Sequence, residues 1–193
     1  MSKRLYLGLR PKPGTVHYSV IRTEFCGSIE PALLLWPQFT HVVFTSQTAV
    51  HYWPGPWDKP IIAIGPATAA VLHEKGLAPL IAPEATQEGI MTLISQLKGY
   101  FFIPQSRRAR PDLANFLRAN QIPFFTLALY DTLFQKPEPV PDLADFEEII
   151  FTSPSTVEGF LRIYGSLPSD KKLTPIGPIT AKKILTAARV NRK

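Results

Sequence analysis

Apolar residues in this chain fall into short runs, and the runs alternate with stretches of helical spacing. Val42-Val43-Phe44, Ile61 to Ile64 and Ile149-Ile150-Phe151 are continuous apolar runs rich in β-branched residues. Such runs predict strands buried on both faces, as in a parallel sheet. A short helix is predicted from Pro31 to Trp36, and strands near 42–45, 60–64, 79–82, 100–104 and 122–127. Helices are predicted between them over 66–75, 86–97 and 110–119. Gly76 closes the first, Thr86 caps the second with Gly99 just past its end, and Leu113, Phe116 and Leu117 share a face of the third.

The ends of the chain follow the same grammar. Arg4 to Leu9 reads as a strand broken by Pro11-Lys12-Pro13-Gly14, and Val16 to Phe25 as an extended, alternating segment. Leu127 to Phe134 is extended again and leads into Pro137-Glu138-Pro139-Val140-Pro141. A strand at 148–151, a helix at 154–163, a strand at 173–176 and a helix at 178–188 complete the series. Alternation of this kind predicts an α/β fold with parallel sheets and right-handed crossovers. The predicted organisation is one complete α/β domain over 28–127, inserted into a discontinuous and reduced one made of 1–27 and 136–193. The two crossings, 20–26 and 128–135, run in opposite directions and are expected to pair as a two-stranded β-ladder that acts as a double hinge.

One pattern occurs twice. Val42-Val43-Phe44-Thr45-Ser46 returns 107 residues later as Ile149-Ile150-Phe151-Thr152-Ser153. Ile64-Gly65-Pro66-Ala67-Thr68-Ala69 returns 112 residues later as Ile176-Gly177-Pro178-Ile179-Thr180-Ala181. In each unit a strand ends at a helix start: Ser46 and Ser153 are N-cap residues, and Pro66, Pro154 and Pro178 take first helical positions, where a missing N–H costs nothing. Such ends carry about half a positive charge and suit carboxylate or phosphate. Two copies in the same order imply two halves that present similar loops, with an anion-binding cleft between them.

Composition narrows the partners. Of 193 residues, 21 are Lys or Arg and 15 Asp or Glu, a net charge of +6 that favours an anionic ligand. The basic residues are scattered, with no basic recognition helix or aromatic RNA-binding motif, so nucleic acid is not the expected partner. The lone Cys26 excludes an internal disulfide and fits a reducing cytoplasm. No apolar run approaches the ~20 residues of a membrane span, so no membrane partner is expected. The four histidines show no metal-ligand spacing, and no phosphate-binding glycine motif is present. Trp36, Trp53 and Trp57 read as packing residues and loop anchors.

These residues together resemble the uroporphyrinogen-III synthase family. The resemblance covers most of the chain. It rests on Arg10-Pro11 after the first strand, Phe44-Thr45-Ser46, Phe151-Thr152-Ser153, both Gly-Pro-x-Thr-Ala turns, Gln87-Glu88-Gly89-Ile90, Ile103-Pro104 and Leu129-Tyr130-Asp131-Thr132 in order. It implies two flavodoxin-like domains joined by a β-ladder and a lyase of porphyrin and heme biosynthesis that needs no cofactor. The implied substrate is hydroxymethylbilane, an open tetrapyrrole with eight carboxylates, handed over by hydroxymethylbilane synthase. The implied reaction closes the macrocycle with loss of water and inversion of the last pyrrole ring. A cytoplasmic monomer is expected.

By the same resemblance Tyr130 is the candidate catalytic residue, assisting departure of the hydroxyl group. Thr45, Ser46, Gly65, Thr68, Thr152, Ser153, Gly177 and Thr180 are the candidate hydroxyls and turns for acetate and propionate groups. Arg10, Arg107 and Arg108 are candidates to neutralise carboxylates, with Arg110 beside them; a solvated helix start is the alternative reading of the last three. The chain departs from the family in two places. No helix fits between Arg10-Pro11 and Val16, and the strand and helix usual after the helix at 178–188 are not seen. Both fall in the discontinuous half. They keep open a second reading, a non-catalytic two-lobed tetrapyrrole- or anion-binding module built on the same fold.

Overall fold

The structure, a computed structural model, describes residues 3–190. Its elements in chain order are β1 (Arg4–Tyr6), β2 (Val16–His17), β3 (Ile21–Phe25), α1 (Glu30–Leu35), β4 (His41–Phe44), α2 (Gln47–Tyr52), β5 (Ile61–Ala63) and α3 (Pro66–His73). There follow β6 (Leu80–Ile81), α4 (Gln87–Ile94), β7 (Phe101–Ser106), α5 (Asp112–Ala119), β8 (Phe124–Phe134), β9 (Glu148–Phe151), α6 (Pro154–Tyr164), β10 (Lys172–Pro175) and α7 (Pro178–Val190). They divide into two compact units, Met1–Thr23 with Thr132–Lys193, and Glu24–Asp131.

The larger unit is built on β8-β7-β4-β5-β6, every neighbouring pair parallel. Strand alternation sorts its side chains into two cores. Val42, Phe44, Ile61, Ala63 and Phe102 face a layer with Trp36, Phe39 and Trp53. Val43, Ile62, Phe101 and Ile103 face Ile90, Ile94, Leu113 and Leu117 from α4 and α5. This is why the strands read as unbroken apolar runs: neither face is wet. Trp36 and Trp53 stack at 5.6 Å, and their indole N–H groups donate to Asp58 at 2.8 Å and to the Pro56 carbonyl at 3.0 Å.

Counted in chain order within this unit, the strand order is 3-2-1-4-5 rather than the flavodoxin order 2-1-3-4-5. The direction of winding reverses between β4 and β7. In open α/β sheets the crevice at the carboxyl ends of the two strands flanking that reversal is where ligands bind.

The smaller unit is built on β10-β9-β1-β2, also parallel throughout. Leu5, Leu7, Tyr18, Val20, Ile149, Phe151, Val157 and Phe160 form its core. The sequence repeat makes β9 the counterpart of β4 and β10 that of β5. Since β1 lies beside β9 as β7 lies beside β4, β1 and β2 are the counterparts of β7 and β8. The smaller sheet is thus the larger one in permuted order, and no described strand corresponds to β6. β10 forms its rim. Lys172 and Ile176 donate their N–H groups to Glu147 and Phe151 on the β9 side, so the nitrogen of Pro175 between them points outward, and it carries no hydrogen.

Several boundaries differ from the sequence reading. The Val16–Phe25 segment splits at Tyr18-Ser19-Val20 into β2 and β3, which belong to different sheets. Tyr18 and Val20 are drawn into the smaller core, and the Ser19 hydroxyl bonds the Ile21 carbonyl at the break. β1 stops at Tyr6, three residues early. The stretches 122–127 and 127–134 form one strand, β8. β3 lies beside β8 and runs against it: Val20 accepts from the Gln135 N–H at one end, and Leu129 from the Cys26 N–H at the other.

Candidate active site

In the larger unit β4 delivers Thr45 and Ser46 to the carboxyl edge of the sheet. Ser46 caps α2, accepting from the Ala49 N–H at 3.1 Å. Its oxygen also shares a 3.0 Å hydrogen bond with the phenol of Tyr130. A register shift brings that phenol into place. Gln105 pairs with Ala128 and Ser106 with Tyr130, so Leu129 is an extra residue of β8 opposite β7. Leu129 and Tyr130 are consequently both buried instead of alternating. The Arg107 N–H fixes the Tyr130 carbonyl at 2.8 Å. Burial pushes the Tyr130 phenol above the ordinary value, against the lowering effect of Ser46 and Thr48, and the nearby Tyr52 adds to the rise. It is therefore a neutral hydrogen-bond donor or acceptor at neutral pH.

Arg107 and Arg108 follow β7. Arg108 Nε donates to Asp131 Oδ1 at 3.0 Å, and an Arg107 nitrogen lies 3.9 Å from the same carboxylate. Both arginines are more than half exposed. Arg110 pairs with Asp112 in the first turn of α5 at 3.2 Å.

Register joins these residues to a counterpart. Val42 is paired with Phe102, and its repeat equivalent Ile149 with Leu5. Arg107 and Arg10 each stand five residues after those partners, but Arg107 follows β7 directly, whereas Arg10 lies four residues beyond the end of β1 in a bent segment. Arg10 is exposed and makes no ion pair among the described residues.

The second Thr-Ser turn is locally similar and chemically more closed. Ser153 caps α6, accepting from the Thr156 N–H at 3.3 Å, while the buried Thr156 hydroxyl accepts from the N–H groups of Thr152 and Ser153 at 3.1 and 3.2 Å. In the first copy that position is Ala49, which has no hydroxyl to offer.

The Gly-Pro turns also diverge. Gly65 is the extended N-cap of α3, and a Cβ there would meet that of Ala85 at 2.6 Å. Ala85 belongs to the loop after β6, the strand with no counterpart in the smaller sheet. A Cβ on Gly177 would meet open space. Thr68 and Thr180 are both buried at 3 % exposure.

Comparison with known proteins decides the family. The profile of uroporphyrinogen-III synthase HemD matches residues 14–188. The chain belongs to the uroporphyrinogen-III synthase family. A Methanothermobacter thermautotrophicus protein that carries the name uroporphyrinogen-III synthase provisionally is 31% identical over 170 residues, 74% of this chain and 67% of that protein. Among solved structures, uroporphyrinogen-III synthetase from Helicobacter pylori superposes with a TM-score of 0.70 at 17% identity. A mutant uroporphyrinogen III synthase from the extremely thermophilic bacterium Thermus thermophilus gives 0.65 at 20%. Each of these two comparisons covers 96% of this chain and 89% of the other. The structural likeness shows the fold, α/β with parallel sheets. Membership of the family makes the chain an enzyme of the lyase class.

Within this synthase family member, the sequence reading missed Tyr52. Its ring stacks on that of Tyr130 at 5.7 Å and 18°. Nothing in the spacing signals this, because the two residues lie on different elements, α2 and β8. Among the described residues no cluster of three or more His, Cys, Asp or Glu side chains is arranged to hold a metal ion. No described helix is long and apolar enough to cross a membrane.

Proposed function

We propose that the protein converts hydroxymethylbilane into uroporphyrinogen III, closing the macrocycle with inversion of the terminal pyrrole ring and loss of one water. The observation that carries this reading is the Tyr130–Ser46 contact, a buried phenol held neutral beside a hydroxyl at a strand reversal point. Tyr130 donates to the departing hydroxyl as its C–O bond breaks. A ring carbon gives up a proton when the macrocycle closes, so the sum of the reaction is loss of water alone. A phenol is a weak acid at neutral pH, so orientation accounts for most of its contribution.

The substrate's carboxylates engage both units. Arg10, Thr152, Ser153 and the Gly177 and Thr180 turn serve one; Arg107, Arg108, Thr45, Ser46 and the Gly65 and Thr68 turn serve the other. Holding the two ends of an open tetrapyrrole together supplies much of the rate, because it converts ring closure into a reaction of neighbours. The net charge of +6 favours capture of the polyanion. The protein acts as a cytoplasmic monomer and receives its substrate from hydroxymethylbilane synthase.

The test is a coupled assay with hydroxymethylbilane synthase, followed by oxidation and chromatographic separation of the uroporphyrin isomers. Unassisted closure gives the type I isomer. Predominantly type III product, reduced in Tyr130→Phe, is the expected result. Type I product alone from folded protein would remove the catalytic reading and leave a tetrapyrrole-binding module.

A further inference from the structure

We infer that Tyr52 is a positioning residue that holds the Tyr130 phenol against Ser46. The inference rests on the function proposed above and deepens it.

The same short helix touches Tyr130 twice. Ser46, the cap of α2, meets the phenol oxygen at 3.0 Å. Tyr52, the last residue of α2, lies against the ring face at 5.7 Å and 18°. A phenol fixed at its tip alone can still swing about its Cβ–Cγ axis and tilt. One fixed at both tip and face has a single placement. The next residue anchors the helix end: Trp53 is buried in the core, and its indole N–H donates to the Pro56 carbonyl at 3.0 Å. Phe25 packs on Tyr52 at 6.3 Å, so the face that supports Tyr130 is itself supported. Tyr52 is only half-buried and packs against the edge of the core that Trp36, Phe39, Trp53 and Phe102 form. Stacking also removes water from one side of the phenol. This agrees with burial as the leading cause of its raised pKa, with Tyr52 a further contributor.

The position differs in kind from Tyr130. The Tyr52 ring acts through Tyr130 and need not touch the substrate. What it supplies is the flat face, so phenylalanine can replace it and an aliphatic side chain cannot. Misplacing a reacting group by about 1 Å costs on the order of 100-fold in rate, and loss of one of two supports is expected to cost about tenfold.

The experiment compares wild type, Tyr52→Phe, Tyr52→Leu and Tyr130→Phe. Each is measured for kcat, KM and the type III to type I ratio in the coupled assay. Each is also labelled with 13Cζ-tyrosine, with Tyr130→Phe assigning the Tyr130 resonance. Tyr52→Leu is expected to lower kcat about tenfold, to leave KM within about twofold, and to raise the share of type I product. It also shifts and broadens the Tyr130 resonance, whereas Tyr52→Phe restores rate, ratio and resonance. An unmoved resonance with wild-type kcat in Tyr52→Leu would overturn the inference. Equal losses in Tyr52→Phe and Tyr52→Leu would overturn it too, by assigning the effect to the hydroxyl. If Tyr52→Leu does not fold, Tyr52→Met, a flexible gap-filler without a flat face, takes its place under the same criteria. If wild type makes no type III product, the proposed reaction fails, and the resonance comparison alone still decides whether Tyr52 positions Tyr130.

Discussion

Arg10 and Arg107 each stand five residues after an equivalent register position, Leu5 paired with Ile149 and Phe102 paired with Val42. The likeness ends at their surroundings: Arg107 lies 3.9 Å from Asp131, and Arg10 has no ion pair among the described residues. Arg10 is therefore the arginine with its charge to give. Arg10→Ala is expected to raise KM about tenfold, the scale of one charge-assisted hydrogen bond. Arg107→Ala is expected to raise it about threefold or less, because Asp131 already offsets its charge. Steady-state kinetics at two salt concentrations check this, with the Arg10 effect shrinking at high salt. Equal effects of the two substitutions would sink it.

Ser46 and Ser153 are both helix caps, but only Ser46 touches a tyrosine. Ser46→Ala and Ser153→Ala should each lose about 1 kcal/mol of stability. Only Ser46→Ala should also lower kcat, since only there does a phenol lose its partner. Thermal melts alongside the coupled assay separate the two effects. A matching fall in kcat for Ser153→Ala would contradict this division.

Tyr164 is expected to make the stability of the smaller unit fall in alkali. Its phenol is pushed up to about 12, chiefly by burial, with Tyr18 and Asp142 adding to the effect. In the unfolded chain a tyrosine titrates near 10. The folded state thus keeps a proton that the unfolded state loses. The associated stability is whole below pH ~10 and drains away as pH rises toward ~12. The difference in melting temperature between wild type and Tyr164→Phe should narrow across that window. A constant difference from pH 8 to 11.5 would show that the phenol does not titrate as described.

Gly89 lies in the first turn of α4, and a Cβ there would run into the Glu84 carbonyl oxygen. Backbone cannot swing aside as a side-chain tip can. Gly89→Ala should cost about 1–3 kcal/mol, the range for overpacking. Gly76 has a positive φ of 76° but open space around it. Gly76→Ala should therefore pay only the conformational term, about 1 kcal/mol. Denaturant melts of the two variants test the contrast.

The sequence carries the α/β alternation well, because strands dry on both faces leave unbroken apolar runs such as Val42-Val43-Phe44. The two Thr-Ser turns are legible for the same local reason: a cap must be a short polar residue where strand meets helix. The kinship of Arg10 and Arg107 is not legible. It depends on which strands lie side by side, and the permuted order puts one copy at the start of the chain. Leu5-Tyr6-Leu7 and Phe102-Ile103-Pro104 share nothing but apolar character. The burial of Thr68 and Thr180 is not legible for a different reason. A threonine in a first helical turn looks the same in sequence whether it is exposed or, as here, buried. Tyr130 was found through the family resemblance, but its contacts required the bulge at Leu129, and a bulge leaves no mark in the residue order.

Pro175 carries a consequence for how this protein survives its own concentration. A rim strand with free N–H groups is a template on which another extended chain can crystallise, and then another. Of the two outward positions on β10, Leu173 and Pro175, the second offers no donor. No described strand covers that side of β10, and Pro175 halves the donors it offers there. Replacing this proline would add a second outward donor to the one at Leu173.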